Sequence, residues 1–180
     1  MGGERQPPTP SQTVGPYFGI ALTPAGAHEL VGDGHLGTIF VTGTVRDGAG
    51  TPVHDGVVEL WQADEDGEYS TMDTGFTGFG RCHTTDEGRF QFRTVKPGPI
   101  AEPGGTQAPH LNLSVYGTGL LKPVRTRMYF ADEGSANAVD PVLSKVDPDR
   151  RHLLIGTVTG ARVKFDIVLQ GADETPFFDA

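Results

Sequence analysis

The chain of 180 residues has the length of one ordinary domain, and its 14 Lys and Arg against 23 Asp and Glu give a net charge of −9. This acidic balance excludes binding of nucleic acid or of an anionic membrane surface through the overall charge. The single cysteine excludes an internal disulfide, and since neither a signal segment nor a membrane span is recognisable, we expect a cytoplasmic protein.

Glycine and proline are frequent, with 26 and 14 copies, and the hydrophobic fraction is 36%. This composition is typical of many short strands joined by turns. Residues 1–36, which contain the stretch TPSQTVGPYF, predict an irregular N-terminal arm with little helix or strand pairing. We expect this arm to pack on another surface, while residues 37–180 form a single folded domain.

Strands are predicted from residue 38 onward. Two β-rich runs, TIFVTGTV and GVVELW, are separated by Asp-Gly and Gly-Thr-Pro turn signals, and we interpret them as antiparallel strands. Further strands are predicted for RFQFRTV, HLNLSVYG and VRTRMYF, in which apolar residues recur at every second position.

The C-terminal part completes the predicted fold. Asp140 and Asp147 are each followed by proline and predict one or two short helices. The stretch ARVKFDIVLQG predicts a core strand, because it places four apolar residues on one face: Val163, Phe165, Ile167 and Leu169. The predicted fold class is therefore all-β, a β-sandwich of mostly antiparallel strands with a long irregular N-terminal arm and one or two short helices.

His110 and Asn112 are the candidate metal-site residues. They lie two residues apart on a predicted strand, so their side chains point to the same face. A second histidine there would direct two imidazoles at one metal ion, whereas an amide oxygen is a weak ligand for a transition metal. His110 is therefore either one ligand of a site completed elsewhere or the remainder of a lost site. The other histidines have no metal-binding spacing: His28, His35, His54, His83 and His152.

A series of motifs resembles the intradiol ring-cleavage dioxygenases, and most of all the alpha chain of those members that combine alpha and beta chains. The resemblance covers roughly residues 9–180. It implies an iron-dependent oxidoreductase of aromatic catabolism, in the beta-ketoadipate pathway. The motifs are TPSQTVGPYF, VELWQADEDGEY, FGR, TVKPGP, APHLNL, RMYF, DPVL, KFDIVLQG and ETPFFD.

The resemblance also implies which metal ligands are missing. In this family the beta chain holds Fe(III) with two tyrosinates and two histidines. Tyr69 stands at the first tyrosine position and His110 at the first histidine position. Ile100 and Asn112 replace the second tyrosine and the second histidine, and Gln107 stands where the catalytic chain carries an arginine. We therefore expect Tyr69 and His110 to be hydrogen-bonded relics, with Fe(III) held by the partner beta chain and not by this chain.

The N-terminal arm is the implied contribution to substrate binding. In this family the alpha-chain arm packs on the partner and lines the substrate pocket beside the beta-chain iron. The matching residues are Thr13, Gly15, Pro16 and the adjacent Tyr17. Glycine permits close approach to a flat ring, and proline fixes the shape of the arm. Thr118 stands where related chains direct an arginine at that pocket, and three nearby cations are candidates to compensate: Lys122, Arg125 and Arg127.

The reaction implied by the resemblance is the cleavage of protocatechuate by O2 to 3-carboxy-cis,cis-muconate, in a larger symmetric oligomer of alpha-beta units. Neither nucleic acid nor a membrane takes part. Two other functions stay open. One is a stand-alone β-sandwich binding module with a degenerate metal site. The other is a self-sufficient dioxygenase that uses Tyr69, His110 and another histidine as ligands.

Overall fold

The computed structural model describes residues 9–13, 15, 18–69 and 76–178. In this part of the chain regular structure is mostly strand, which confirms the predicted all-β class. The strands are β1 (Thr38–Arg46), β2 (Val57–Trp61), β3 (Phe79–His83), β4 (Arg89–Val95), β5 (Ile100–Glu102), β6 (Gly105–Gln107), β7 (His110–Tyr116), β8 (Val124–Phe130), β9 (Ile155–Thr159), β10 (Arg162–Lys164) and β11 (Ile167–Val168). The α-helices are α1 (Phe18–Leu22) and α2 (Gly134–Val139), and the 3-10 helices are Ala131–Glu133, Leu143–Lys145 and Pro148–Leu154.

The strands form a nearly closed mixed sheet around a main core, and a smaller apolar cluster is formed by Ala108, Tyr129, Leu143 and Leu154. Its path runs β11-β1-β10-β9-β8-β7-β2-β3, with β4 paired to β1. Strand β1 is antiparallel to β4 but parallel to β10 and β11. Antiparallel pairs join β2 to β3 and β7, and β7 to β8, whereas β8 and β9 are parallel. Strands β1 and β2 both have antiparallel neighbours, as predicted, but they do not pair with each other across the turn signals that separate them.

Apolar side chains of both halves of the sheet meet in this core. The largest cluster includes residues of β1, β2, β4, β7, β8, β10 and β11. Because side chains alternate along a strand, the same strands leave a second, outward face on which polar residues collect. The buried members of the cluster are Leu30, Val41, Val45, Val58, Leu60, Phe90, Phe92, Leu111, Leu113, Val115, Met128, Phe130, Val163, Phe165 and Ile167.

The predicted C-terminal core strand is interrupted between β10 and β11. Val163, Phe165 and Ile167 are buried as their alternation predicts, while Leu169 is only partly buried. At the interruption the backbone N–H of Thr44 donates to the carboxylate of Asp166 over 3.0 Å instead of to a backbone carbonyl. A Cβ atom on Gly43 would lie 1.8 Å from the carbonyl oxygen of Phe165, so glycine is what permits this close approach.

The end of the N-terminal arm is more ordered than its sequence predicts. It contains α1, and its residues 27–30 run between the edges of β3 and β4. The carbonyl of Ala27 accepts a hydrogen bond from the N–H of Arg81 on β3 over 2.8 Å. On the other side, the N–H of Leu30 donates to the carbonyl of Arg93 on β4 over 2.8 Å. The arm thus satisfies backbone groups that two edge strands would leave unpaired.

The predicted helix start at Asp147 is present, whereas Asp140 ends α2 and the next helix, Leu143–Lys145, begins after Val142; both later helices are of the 3-10 type. The side chain of Asp147 accepts from the N–H of Asp149 at the start of the helix Pro148–Leu154. The side chain of Asp140 accepts from the N–H of Leu143 over 2.7 Å. Helix α2, which precedes them, was not predicted. No helix in the described ranges is long and apolar enough to cross a membrane.

Candidate metal centre

Strand β7 brings His110 and Asn112 to one face of the sheet, as their spacing predicts. The side chain of His110 is buried, with 1% of its surface exposed. Its Nδ1 atom lies 2.8 Å from the carbonyl oxygen of Ala108, which assigns the ring proton to Nδ1. Its Nε2 atom is buried without a hydrogen-bond partner among the described residues. Burial, together with the nearby Arg127 guanidinium, lowers the pKa of His110 from 6.5 to about 4, so the ring is neutral at pH 7.

Tyr69 lies beside this strand and is bonded to Asn112. The Asn112 Nδ2 atom donates to the phenol oxygen of Tyr69 over 3.1 Å. The ring of Tyr69 stacks on Trp61, with centroids 5.8 Å apart and planes inclined by 7°. Trp61 also contacts Phe79 on β3, and all three rings are more than a third exposed. The first tyrosine position is therefore filled by a phenol held by an amide and by aromatic stacking.

Ile100 and Gln107 lie opposite each other in the hairpin of β5 and β6. Ile100 is buried and offers no atom that binds a metal ion. The Oε1 atom of Gln107 accepts a hydrogen bond from the Nη1 atom of Arg127 over 2.6 Å. Arg127 lies on β8 directly opposite Asn112 of β7, so its guanidinium belongs to the same outward face. The sequence identified Arg127 only as a possible substitute for the arginine missing at position 118.

Asp140 supports this face from the helical segment that follows β8. Its carboxylate is fully buried and accepts from the hydroxyl of Tyr129 over 3.1 Å and from the N–H of Ala108 over 2.8 Å. Burial raises the pKa of the Tyr129 phenol, so it stays protonated and donates. The ring of Tyr129 in turn packs against His110, with centroids 5.7 Å apart. The sequence predicted Asp140 as a helix start and gave no signal for this second role.

These donor atoms do not fit an Fe(III) centre. A hard trivalent ion favours anionic oxygen ligands, and of the four positions one is apolar, one is an amide and one is a neutral imidazole. The remaining phenol already accepts a hydrogen bond from Asn112. In the part of the chain that the structure describes, no group of three or more His, Cys, Asp or Glu side chains could hold a metal ion. We call the set Tyr69, Ile100, His110 and Asn112 the degenerate centre.

The arm residues that the sequence singles out lie partly in the described ranges. The hydroxyl of Thr13 accepts a hydrogen bond from the N–H of Gly119 over 3.0 Å, beside the exposed Thr118. Apart from its chain neighbours, no atom of the described residues lies within 4 Å of a Cβ built on Gly15, whose carbonyl oxygen accepts from the N–H of Phe18. Pro16 and Tyr17 lie outside the described residues. Lys122 and Arg125 are exposed, whereas Arg127 is half-buried and bonded to Gln107.

A cavity of about 880 Å³ lies elsewhere, between the arm and the sheet. It is bounded by residues 23–26 of the arm and by parts of β1, β3 and β4, and it contains no residue of the degenerate centre. Its size therefore carries no information on the degenerate centre. The basic side chains along it are His28, Arg81, His83, Arg89 and Lys164.

Comparisons with known proteins define the family. The family model described as dioxygenase matches residues 14–171. The solved dioxygenase domain of a carbohydrate-binding fusion protein from Streptomyces sp. SirexAA-E superimposes with a TM-score of 0.64 at 30% identity, covering 92% of this chain and 100% of that one. The chain therefore belongs to the intradiol ring-cleavage dioxygenase family.

Two relatives show which members of the family this chain is similar to. The chain is 40% identical to the protocatechuate 3,4-dioxygenase alpha chain of Pseudomonas putida, over 98% of both proteins. It is 36% identical to the protocatechuate 3,4-dioxygenase beta chain of Burkholderia cepacia, over 77% of this chain and 66% of that one. The similarity to an alpha chain thus extends over nearly the whole sequence.

Proposed function

We propose that this chain is the subunit of a protocatechuate 3,4-dioxygenase that does not bind iron. Intradiol cleavage of protocatechuate by O2 then takes place at Fe(III) held by a beta-type partner and yields 3-carboxy-cis,cis-muconate. One observation carries this proposal: a chain similar to an alpha chain over 98% of its length has a donor set that does not fit iron. The chemistry of oxygen activation belongs to the partner, and no proton or electron transfer is assigned to residues of this chain.

The role of this chain is to complete the substrate pocket of the partner through its arm. Thr13, Gly15, Pro16 and Tyr17 are the proposed pocket residues. The open space around Gly15 supports the proposal, because a Cβ added there has no atom of the described residues within 4 Å, its chain neighbours aside. The bond between Thr13 and Gly119 gives this part of the arm an anchor on the folded domain. The net charge of −9 opposes a substrate carboxylate, so we assign the attraction of the substrate to local cations of the complex.

Co-expression with a beta-type chain is the test of the proposed function. Iron content and protocatechuate-dependent oxygen uptake are measured on this chain alone and on the purified complex. We expect the chain alone to be colourless and inactive, and the complex to be active with one iron per alpha-beta pair. Iron and turnover in the isolated chain would identify a self-sufficient dioxygenase. Failure to associate with any beta-type chain would favour the stand-alone binding module.

The arm is tested in the same complex with Gly15→Val. Because the added side chain meets no group of the described residues, we expect the thermal unfolding temperature of the isolated variant chain to change little. In the complex we expect KM for protocatechuate to rise about tenfold or more, which corresponds to about 1.4 kcal/mol of lost binding. Gly104→Val is the matched control, since Gly104 is equally open but lies in the turn between β5 and β6. An unchanged KM with Gly15→Val would contradict the role of the arm.

A further inference from the structure

A cation that belongs to the protein lies beside the degenerate centre. Arg127 lies opposite Asn112 in the pairing of β7 and β8, and its Nη1 atom donates to Gln107 over 2.6 Å. Its side chain is half-buried, and Tyr129, two residues further along β8, pairs with His110 in the same ladder. The guanidinium is therefore next to the residue at the first histidine position and opposite the residue at the second.

Arg127 has no direct ion pair with a carboxylate among the described residues, and its hydrogen-bond acceptor is the neutral amide of Gln107. The buried carboxylate of Asp140 is taken up by other donors, the Tyr129 hydroxyl and the N–H groups of Ala108 and Leu143. In a partly buried environment a guanidinium without a direct ion pair opposes a second cation, because the effective dielectric constant is below that of water.

We propose that the guanidinium of Arg127 replaces the metal ion as the cation of the degenerate centre, and that it keeps iron out. This inference deepens the proposed function, on which it rests, by naming the residue that enforces the absence of iron. Lost ligands alone weaken a metal site, whereas a fixed positive charge opposes the metal even when ligands are present. Arg127 also holds the β6 end of the hairpin to β8 through Gln107, a link for which no metal is needed.

The first test restores the two missing ligand types in this chain, within the complex with its beta-type partner. Ile100→Tyr and Asn112→His are combined, once with Arg127 intact and once with Arg127→Gln. We expect the complex to keep one iron per pair when Arg127 is intact and to approach two when it is replaced, with added tyrosinate-to-iron absorption. The readout is iron content and visible colour, independent of turnover.

The outcomes separate this inference from the proposed function. Two irons per pair in the unmodified complex would overturn the proposed function itself. Two irons in the ligand-restored complex with Arg127 intact would overturn only the role of Arg127. One iron in both restored complexes, with the chain folded by circular dichroism, would also overturn it, because removing the guanidinium would then have no effect.

A second test uses the pair formed by Arg127 and Gln107 and does not depend on metal binding. Arg127→Gln leaves an amide pair without a cation, and Gln107→Arg places two guanidinium groups side by side. We expect each single change to lower the thermal unfolding temperature by roughly 3–10 °C. The exchange of both residues, Gln107→Arg with Arg127→Gln, restores one cation and one acceptor, and we expect it to recover most of that loss. If the unfolding temperature of the exchanged variant falls by the sum of the two single losses, the pairing of one guanidinium with one amide acceptor is not what stabilises this place.

Discussion

The two faces of strand β7 are held by different forces. The inward face carries Leu111 and Leu113, which are at most 1% exposed and lie in the main core. The outward face carries His110 and Asn112, whose side chains are fixed by hydrogen bonds to Ala108 and Tyr69. Burial of the inward face is non-directional and depends on shape and volume, whereas the outward face depends on particular donors and acceptors. One strand can therefore keep the fold of a family while its chemical face changes.

The largest expected effect concerns Asp140, which anchors the outward face. Replacing it with alanine leaves Ala108 N–H, the Tyr129 hydroxyl and Leu143 N–H without their acceptor. Each buried group left unpaired costs about 1–3 kcal/mol, so we expect a loss of roughly 4 kcal/mol in the free energy of unfolding. Asp147→Ala is the matched control, since it removes an exposed helix cap worth about 1 kcal/mol. Urea titration gives the free energy of unfolding of both variants, and an equal loss in the two would contradict the role of Asp140.

The second prediction concerns the inward face, whose packing is disrupted by Leu113→Ala. The leucine is buried in the core, so truncation leaves a cavity, and we expect unfolding to become easier by about 3 kcal/mol. The neighbouring Ser114→Ala changes the opposite face and should cost less than about 0.5 kcal/mol. The comparison fails if the serine variant is as unstable as the leucine variant in the same urea titration.

Lowering the pH destabilises the outward face, because it protonates His110. Its pKa is about 4 in the folded chain, against 6.5 as the ordinary value. Between these values the unfolded chain binds the proton first, so stability is full above pH 6.5 and falls as the pH approaches 4. One pKa unit corresponds to about 1.4 kcal/mol, which gives this residue a loss of roughly 3 kcal/mol across the window. Between pH 7 and pH 4, the free energy of unfolding should fall more steeply for the native chain than for His110→Gln. Parallel curves would show that His110 does not contribute.

The smallest expected effect is that of Tyr69→Phe. The substitution removes the acceptor for Asn112 but keeps the stacking on Trp61. Because the pair is partly exposed, water replaces the lost bond, and we expect a cost below about 1 kcal/mol. Trp61→Ala, which removes the stacking partner, should cost more. A larger loss for Tyr69→Phe would indicate that the phenol has a role beyond this bond.

Sequence patterns predicted the inward faces better than the outward ones. The alternation of Val163, Phe165 and Ile167 identified core positions, because burial on one face leaves a period of two. The pairing of β1 with β10 and β11 was not predictable, since these partners lie more than 100 residues apart in the sequence and parallel pairing has no local signal. The arm segment 27–30 likewise lacks a strand pattern, because its hydrogen bonds depend on two edges formed elsewhere.

The sequence indicated which residues belong to the candidate site, but not which hydrogen bonds they form. The resemblance identified Tyr69, His110 and Asn112, and spacing on one strand placed the last two on the same face. The bond between Gln107 and Arg127 and the anchoring by Asp140 depend on how three separate segments pack. Neither has a sequence signal, because an arginine on a strand is more often a solvated charge and an aspartate before proline is more often a helix cap.

The most direct measurement of the central claim is the iron content and oxygen uptake of a complex whose alpha-type chain carries both Tyr69→Phe and His110→Gln. If the degenerate centre takes no part in the chemistry, the complex keeps one iron per pair and its turnover of protocatechuate. Arg127→Gln alone, measured beside it, should likewise leave turnover intact. Loss of iron or of activity in the Tyr69 and His110 variant would contradict the claim and make these residues functional ligands.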